Sequence, residues 1–177
     1  MRWYLIDKFL EFESGRRAVA VKSVAAAEEA LDCYMPGFLL MPASLIIEGI
    51  AHTGGLLVGE VRGFEERVVL AKVGKAVFHR TARPGDTLTY TTVIEDIKPD
   101  GAIVKATSYI GSDLQAEVDM VFAHLDNDRF AGVELFEPAD LLRMLRGLGI
   151  YDVGRDQNGN RLQVPPRLLA AEQADQQ

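Results

Sequence analysis

The 177 residues are 48% hydrophobic and 25% charged, the balance of a globular domain large enough to bury a continuous core without metals. A net charge of −7, with no dense run of Lys or Arg, excludes a nucleic-acid-binding surface as the main function. The single cysteine, Cys33, excludes an intrachain disulfide, and no run reaches the roughly 18 apolar residues of a membrane span. The start, MRWYLIDKFLEFESG, is amphipathic and charged and has no signal-peptide core or small-residue cleavage site, so a reducing cytoplasm is the expected location.

In chain order, Trp3 to Phe12 mixes apolar and charged positions and suits a short helix or strand ending at Ser14-Gly15. RRAVAVKSVA alternates, with Ala18, Ala20 and Lys22 on one side and Val19, Val21 and Ser23 on the other, which predicts a strand. AAAEEALD is helix-compatible and leads into the loop around CYMPGF. Pro42 suits the first position of a helix, where its missing N–H is not needed. From Ala43 to about Gly59, Leu45, Ile46, Ile47, Ile50, Leu56, Leu57 and Val58 cover nearly every direction of the helical wheel, which predicts burial on most sides.

Four strand-like runs follow, at 67–80, 86–98, 101–111 and 116–126, separated by the turn-forming Arg83-Pro84-Gly85-Asp86, Pro99-Asp100-Gly101 and Gly111-Ser112-Asp113. Such short separators predict antiparallel hairpins, because parallel crossovers need a dozen or more residues. The expected fold is therefore α+β, with a sheet wrapping one central helix. FEPADLLRMLRGLG then reads as an amphipathic helix of about three turns, and DQNGNRLQVPPRLLAAEQADQQ as a polar tail, flexible at its end.

One ionisable group interrupts the central helix: Glu48, with His52 four residues on and on the same face. A carboxylate buried there costs several kcal/mol unless paired, hydrogen-bonded or protonated, so the helix predicts either a functional acid or an interface Glu satisfied by a neighbour.

The order YLIDKFLEFESGRRAVAVKSV, MPGFLLMPASLIIEGIAHTGG, AKVGKAVFHRTARPGDTLTYTTVI resembles the 3-hydroxyacyl-acyl-carrier-protein dehydratases of the FabZ/FabA type, over residues 2 to 126. The resemblance implies a hot-dog fold, in which a curved antiparallel sheet wraps a central helix and two protomers join their sheets edge to edge. It divides the chain into a hot-dog domain, 1–126, and an extension, 127–177, with one amphipathic helix and a flexible tail. In that family a loop histidine of one protomer takes the α-proton of a 3-hydroxyacyl thioester, and a helical acid of the other helps the β-hydroxyl leave as water. A backbone N–H at the start of the helix polarises the thioester carbonyl.

Carried onto this chain, the acid falls on Glu48 and the N–H donor on Ala43, a position where the family usually has Gly. His52 falls where the family often has Gln. Counting back seven residues from Met41 places the family's histidine at Tyr34: the expected Gly-His-Phe-Pro-Gly reads Cys33-Tyr34-Met35-Pro36-Gly37. The Pro-Gly turn survives and the base does not. Pro36, Gly37, Met41 and Ala43 are the expected substrate contacts. His52 either supports Glu48, as the family's Gln would, or takes over proton transfer near neutral pH. Tyr34 either fills the histidine's volume or holds a substrate oxygen. With a pKa of about 10 a tyrosine is a poor base at neutral pH. Cys33, with no cation beside it in sequence, reads as a small hydrophobe.

Arg80, Arg83 and Lys75, with Lys72, form the candidate basic patch for an acidic carrier protein or a coenzyme A phosphate. His79 and His124 sit in strand runs as packing or sheet-surface residues. No metal-ligand spacing and no dinucleotide fingerprint is present, so neither a metal nor a cofactor is expected. The expected function is a dehydratase-like protein of acyl-thioester metabolism, assembled as a homodimer or trimer of dimers. Two other readings stay open: a thioesterase using Glu48 as base, and an inactive acyl-thioester-binding or partner subunit.

Overall fold

The computed structural model describes residues 5–34, 37–125 and 136–175, with only the backbone of 32–34. Strand β1 (Lys8–Glu13) and strand β2 (Arg17–Ser23) form a hairpin that leads to a short helix α1 (Glu29–Tyr34). The long helix α2 (Ala43–Glu60) follows, and then the meander β3 (Arg67–Phe78), β4 (Thr87–Lys98), β5 (Gly101–Ile110) and β6 (Asp113–Leu125). The C-terminal segment forms α3 (Pro138–Gly147), α4 (Ile150–Val153), the two-residue strand β7 (Gly154–Arg155) and α5 (Pro166–Asp175). The start of the chain is thus strand from Lys8 onward, and the last predicted strand begins at Asp113, earlier than residue 116.

Among the described residues the strands make one sheet in the order β3-β6-β5-β4-β2-β1-β7, antiparallel except where β7 runs parallel to β1. Register shifts at Leu70/Lys72, Val73/Lys75 and Ile94/Asp96 place irregularities in the long strands, a device that increases local twist and lets a sheet curl. The sheet curls round α2, which touches β2 through β6. Alternate residues of the strands supply the inner face: Leu88, Tyr90 and Thr92 on β4, Val104 and Ala106 on β5, Val118, Met120 and Phe122 on β6. The Pro84-Gly85 turn between β3 and β4 needs its glycine, whose φ of 95° is left-handed, and the Asp86 carboxylate accepts the Arg83 N–H at 2.8 Å.

The inward face of α2 carries Ile46, Ile50, Leu57 and Val58 together with small residues, Gly49, Ala51, Thr53 and Gly54. Gly49 lets the helix lie directly on its neighbours: a Cβ there would sit 2.6 Å from the Leu5 carbonyl oxygen and 2.8 Å from the Tyr90 ring. The Thr53 hydroxyl, fully buried, is satisfied by donating to the Gly49 carbonyl at 2.9 Å.

Two expectations are corrected. The helix is not buried on most sides within one chain: Ala43, Ser44 and Glu48 are exposed, and Leu45, Ile47, His52 and Leu56 are half-buried. Hydropathy counts apolar groups without their direction, so it merged the face on the sheet with the face turned away from it. The tail also carries a helix of its own, where no second helix was expected. Residues 166–175 form α5, which packs on α3 through ion pairs Arg143–Asp175 and Arg146–Glu172, both at 2.7 Å.

The C-terminal segment shares the core of the sheet and helix. Leu142, Leu145 and Ile150 are fully buried, each contributing about 1.5–3 kcal/mol of burial. The Phe9 N–H donates to the Leu148 carbonyl at 2.8 Å, tying the segment to β1. The expected boundary near residues 126 and 127 itself lies outside the described residues.

Candidate active site

Four residues make one helical turn with 40° to spare, so positions 48 and 52 stack on one face of α2. His52 Nε2 lies 3.1 Å from Glu48 Oε1, with the two side chains 36% and 50% exposed. The cost of a buried charge therefore does not arise within a single chain, and Glu48 is an acid whose partner is already in place. Both residues line a cavity of about 710 Å3 whose walls are largely apolar, among them Ala51, Leu56, Phe64, Leu70 and Phe122.

The start of α2 opens elsewhere. Ala43 is the first helical residue, with Pro42 at the cap position before it, and both Leu45 and Ile46 donate their N–H to the Pro42 carbonyl. Met41 and Ala43 line a second cavity of about 290 Å3 together with Ile46, Phe78, His79 and Arg80. Ala43 and Glu48 are five residues apart, which is about 140° round the helix axis and about 7.5 Å along it. Within one chain, then, the predicted N–H donor and the predicted acid face different cavities, and the structure does not bring them together. Met41 is buried, and its N–H donates to the Ala82 carbonyl at 2.9 Å, which fixes the entry into the helix.

Gly37 has a φ of 79° and is exposed. Pro36 and the Tyr34 side chain lie outside the described residues; the Tyr34 backbone ends α1. Of the basic patch, Arg80 pairs with Asp113 at 2.6 Å, and the Arg83 guanidinium stacks 4.9 Å from the Phe38 ring centre. Lys75 is exposed farther along β3, opposite Asp119 in the register. Among the described residues no group of three or more His, Cys, Asp or Glu is placed to hold a metal ion, and no helix is long and apolar enough to cross a membrane.

Two further ionisable groupings are assembled by the fold. His124 is almost fully buried, and its Nδ1 lies 2.6 Å from Glu66 Oε2, although not along a hydrogen-bonding direction; Glu66 itself lines the cavity. Nothing in the sequence joined two residues 58 positions apart; the β3–β6 pairing of Val68 with His124 does so. At the far end of α2, burial holds the Glu60 carboxyl above its usual range, opposed by a hydrogen bond with Ser14 and reinforced by nearby Asp156. Burial and the adjacent Glu60 push the Tyr151 phenol up to about 12.

Residues 2–122 match the model of the FabA-like domain family. The chain is 38% identical over 122 residues to the 3-hydroxyacyl-[acyl-carrier-protein] dehydratase FabZ of Desulforamulus reducens, covering 67% of this chain and 84% of that protein. It is 36% identical over 123 residues to FabZ of Symbiobacterium thermophilum, covering 69% and 87%. Among solved structures, a Streptococcus mutans protein bound to acetyl-CoA superposes with a TM-score of 0.58 at 14% identity, covering 71% of this chain and 93% of that one. The Escherichia coli PaaI protein, from a phenylacetic acid degradation operon, superposes at 0.53 and 14%, covering 64% and 75%. These structural likenesses establish the hot-dog architecture.

Proposed function

This chain belongs to the FabA-like family, and we propose that it interconverts 3-hydroxyacyl and 2-enoyl thioesters, with Glu48 as the acid. The observation that carries the reading is the Glu48–His52 pair opening onto a largely apolar cavity, at the helix position where the family resemblance expects the acid. In the forward direction the Glu48 carboxylate accepts the α-proton, and the electron pair left on the α-carbon forms the carbon–carbon double bond. The β-carbon–oxygen bond breaks, and Glu48 delivers the proton with which the hydroxyl leaves as water. Negative charge growing on the thioester oxygen is met by a helix N-terminal N–H, that of Ala43.

His52 touches Glu48 itself instead of facing it across a substrate, so its role is positioning: it orients the carboxyl, as a glutamine would. The opposite side of the site comes from a second protomer, as the family resemblance implies. Joining along β3 is favoured because, among the described residues, β3 is a 12-residue edge strand and carries the exposed Leu70. The substrate arrives on an acyl carrier protein or coenzyme A, in the cytoplasm, with Arg80, Arg83 and Lys75 meeting its acidic groups.

Hydration of a crotonyl thioester, followed by loss of enoyl absorbance, tests the reading. Glu48→Gln should lower turnover by about 100-fold or more, while the half-exposed pair it breaks is worth no more than about 1 kcal/mol of stability. His52→Gln should keep turnover within a few-fold, and Tyr34→His should raise it. Undiminished turnover in Glu48→Gln would remove that residue from the mechanism. Thiol release from an acyl thioester with no hydration would favour instead a thioesterase, in which the carboxylate–imidazole pair activates water. Thioester binding with neither reaction would leave an inactive binding subunit.

A further inference from the structure

The larger cavity is closed on one side by a segment that the family match does not reach. The match ends at residue 122, whereas Phe136, Pro138, Leu141 and Met144 all line the cavity together with Glu48 and His52. Helix α3 is held in place by a different pair of side chains: Leu142 and Leu145 are fully buried in the core. Leu141 and Met144, three residues apart, share the adjacent stripe and form part of the cavity wall. Leu56 of α2, Phe64, and Phe122 of β6 line the same cavity.

A volume of about 710 Å3 lies within the range of whole small-molecule sites, roughly 300–1,000 Å3. The reacting end of a thioester needs only the part beside Glu48; the remainder carries the apolar Leu56, Phe64, Phe122, Leu141 and Met144, with charged residues, Glu66 and Asp140 among them, also in its lining. We propose that α3, through Met144 and Leu141, is the wall against which the hydrocarbon tail of the acyl group lies, and that it sets which chain lengths this protein accepts. The proposal rests on the acyl-thioester reading above. The occupant is an unbranched acyl chain of medium to long length, because apolar side chains of α2, α3 and β6 line the same cavity as the acid that would act on carbons 2 and 3.

Met144 is the place to test this, since it is only partly buried and changing it leaves the Leu142 and Leu145 anchors intact. The full chain and its Met144→Trp and Met144→Ala variants are assayed for kcat/KM on trans-2-enoyl coenzyme A thioesters of 4, 8 and 12 carbons. Affinity for the same thioesters is measured by calorimetry. Filling the wall with Trp should lower the 12-carbon to 4-carbon ratio by about tenfold or more, and hollowing it with Ala should raise the ratio. General damage to α3 would move both variants the same way, so opposite movement identifies the wall. An unchanged ratio in both variants, in rate and in affinity, overturns the inference. If no protein turns over any thioester yet the affinity ratio moves in opposite directions, the wall stands and the dehydratase reading falls.

Discussion

Gly49→Ala tests how α2 is held against its neighbours. The added Cβ would stand 2.6 Å from the Leu5 carbonyl oxygen and 2.8 Å from the Tyr90 ring. An ordinary carbon–oxygen contact is about 3.3 Å, so the helix or the Leu5 backbone must give by roughly 0.7 Å. The Tyr90 ring is fully buried, which leaves it little room to move aside. Overpacking of this kind costs about 1–3 kcal/mol, and replacing a mid-helix Gly by Ala returns about 0.8–1 kcal/mol of helix propensity. The net expectation is a loss of up to about 2 kcal/mol, as much as a few degrees in Tm for a chain of this size. Gly55→Ala is the internal control. Its Cβ would meet only the Phe122 ring, at 3.3 Å and beyond, so propensity should win there and the variant should hold or gain stability. Because Gly49 adjoins Glu48, the same shift should also lower kcat for hydration by about tenfold or more, since misplacement by 1 Å can cost 100-fold. Denaturant unfolding of the two variants decides the matter. A Gly49→Ala protein as stable as Gly55→Ala would mean that the small residue does not set the helix position.

The remaining predictions concern ionisable groups near that core. The Lys22 ammonium is 8% exposed and lies 2.8 Å from Glu28 Oε1, with Asp7 farther off at 3.7 Å; Glu28→Ala should therefore cost about 2–3 kcal/mol in urea unfolding, and a cost below about 0.5 kcal/mol would show that Asp7 and the Ser23 carbonyl suffice. The raised pKa of Glu60 means that the folded chain holds this proton to higher pH than the unfolded chain, so its ionisation destabilises the fold as pH rises through that interval. Glu60→Gln should accordingly add stability near neutral pH and little near pH 4, a difference read from Tm against pH; a benefit that is flat with pH would mean the carboxyl is not strained by burial.

The strands and the central helix were legible because each carries its own signal. Alternation over Arg17–Ser23 and the turn chemistry at Arg83–Asp86 place β2 and the β3–β4 hairpin, and Pro42 marks the start of α2 to within one residue. The pairing of Glu48 with His52 was legible too, being local to one helix. What periodicity did not resolve was direction: Leu45, Ile47 and Leu56 are as apolar as Ile46, Ile50 and Leu57, yet only the second set is buried against the sheet. The separation of Ala43 from Glu48 into different cavities follows from their 140° offset, which a motif read as a string of positions does not express.

The C-terminal segment escaped for a related reason, and the cause bears on the site. Helix α5 buries Leu168 alone, too little to give a stripe, and its docking depends on Asp175 and Glu172 reaching arginines some 30 residues upstream on α3. Strand β7 has two residues, so no alternation exists to detect; its place is set by Phe12 and Glu13 across the ladder. Elements of this kind are fixed by what they pack on and not by their own pattern. Helix α3, by contrast, announced its amphipathic face, but an apolar stripe does not say whether it meets core or cavity. Here it meets both: Leu142 and Leu145 lie in the core, while Leu141, itself a core residue, and the partly buried Met144 also line the space beside Glu48. A surface helix that needed only anchoring would be complete with the first pair. The second pair is what a helix needs if it is also to bound a ligand, and that is why the effect of Met144 on chain length separates an acyl-gauging wall from a mere appendage.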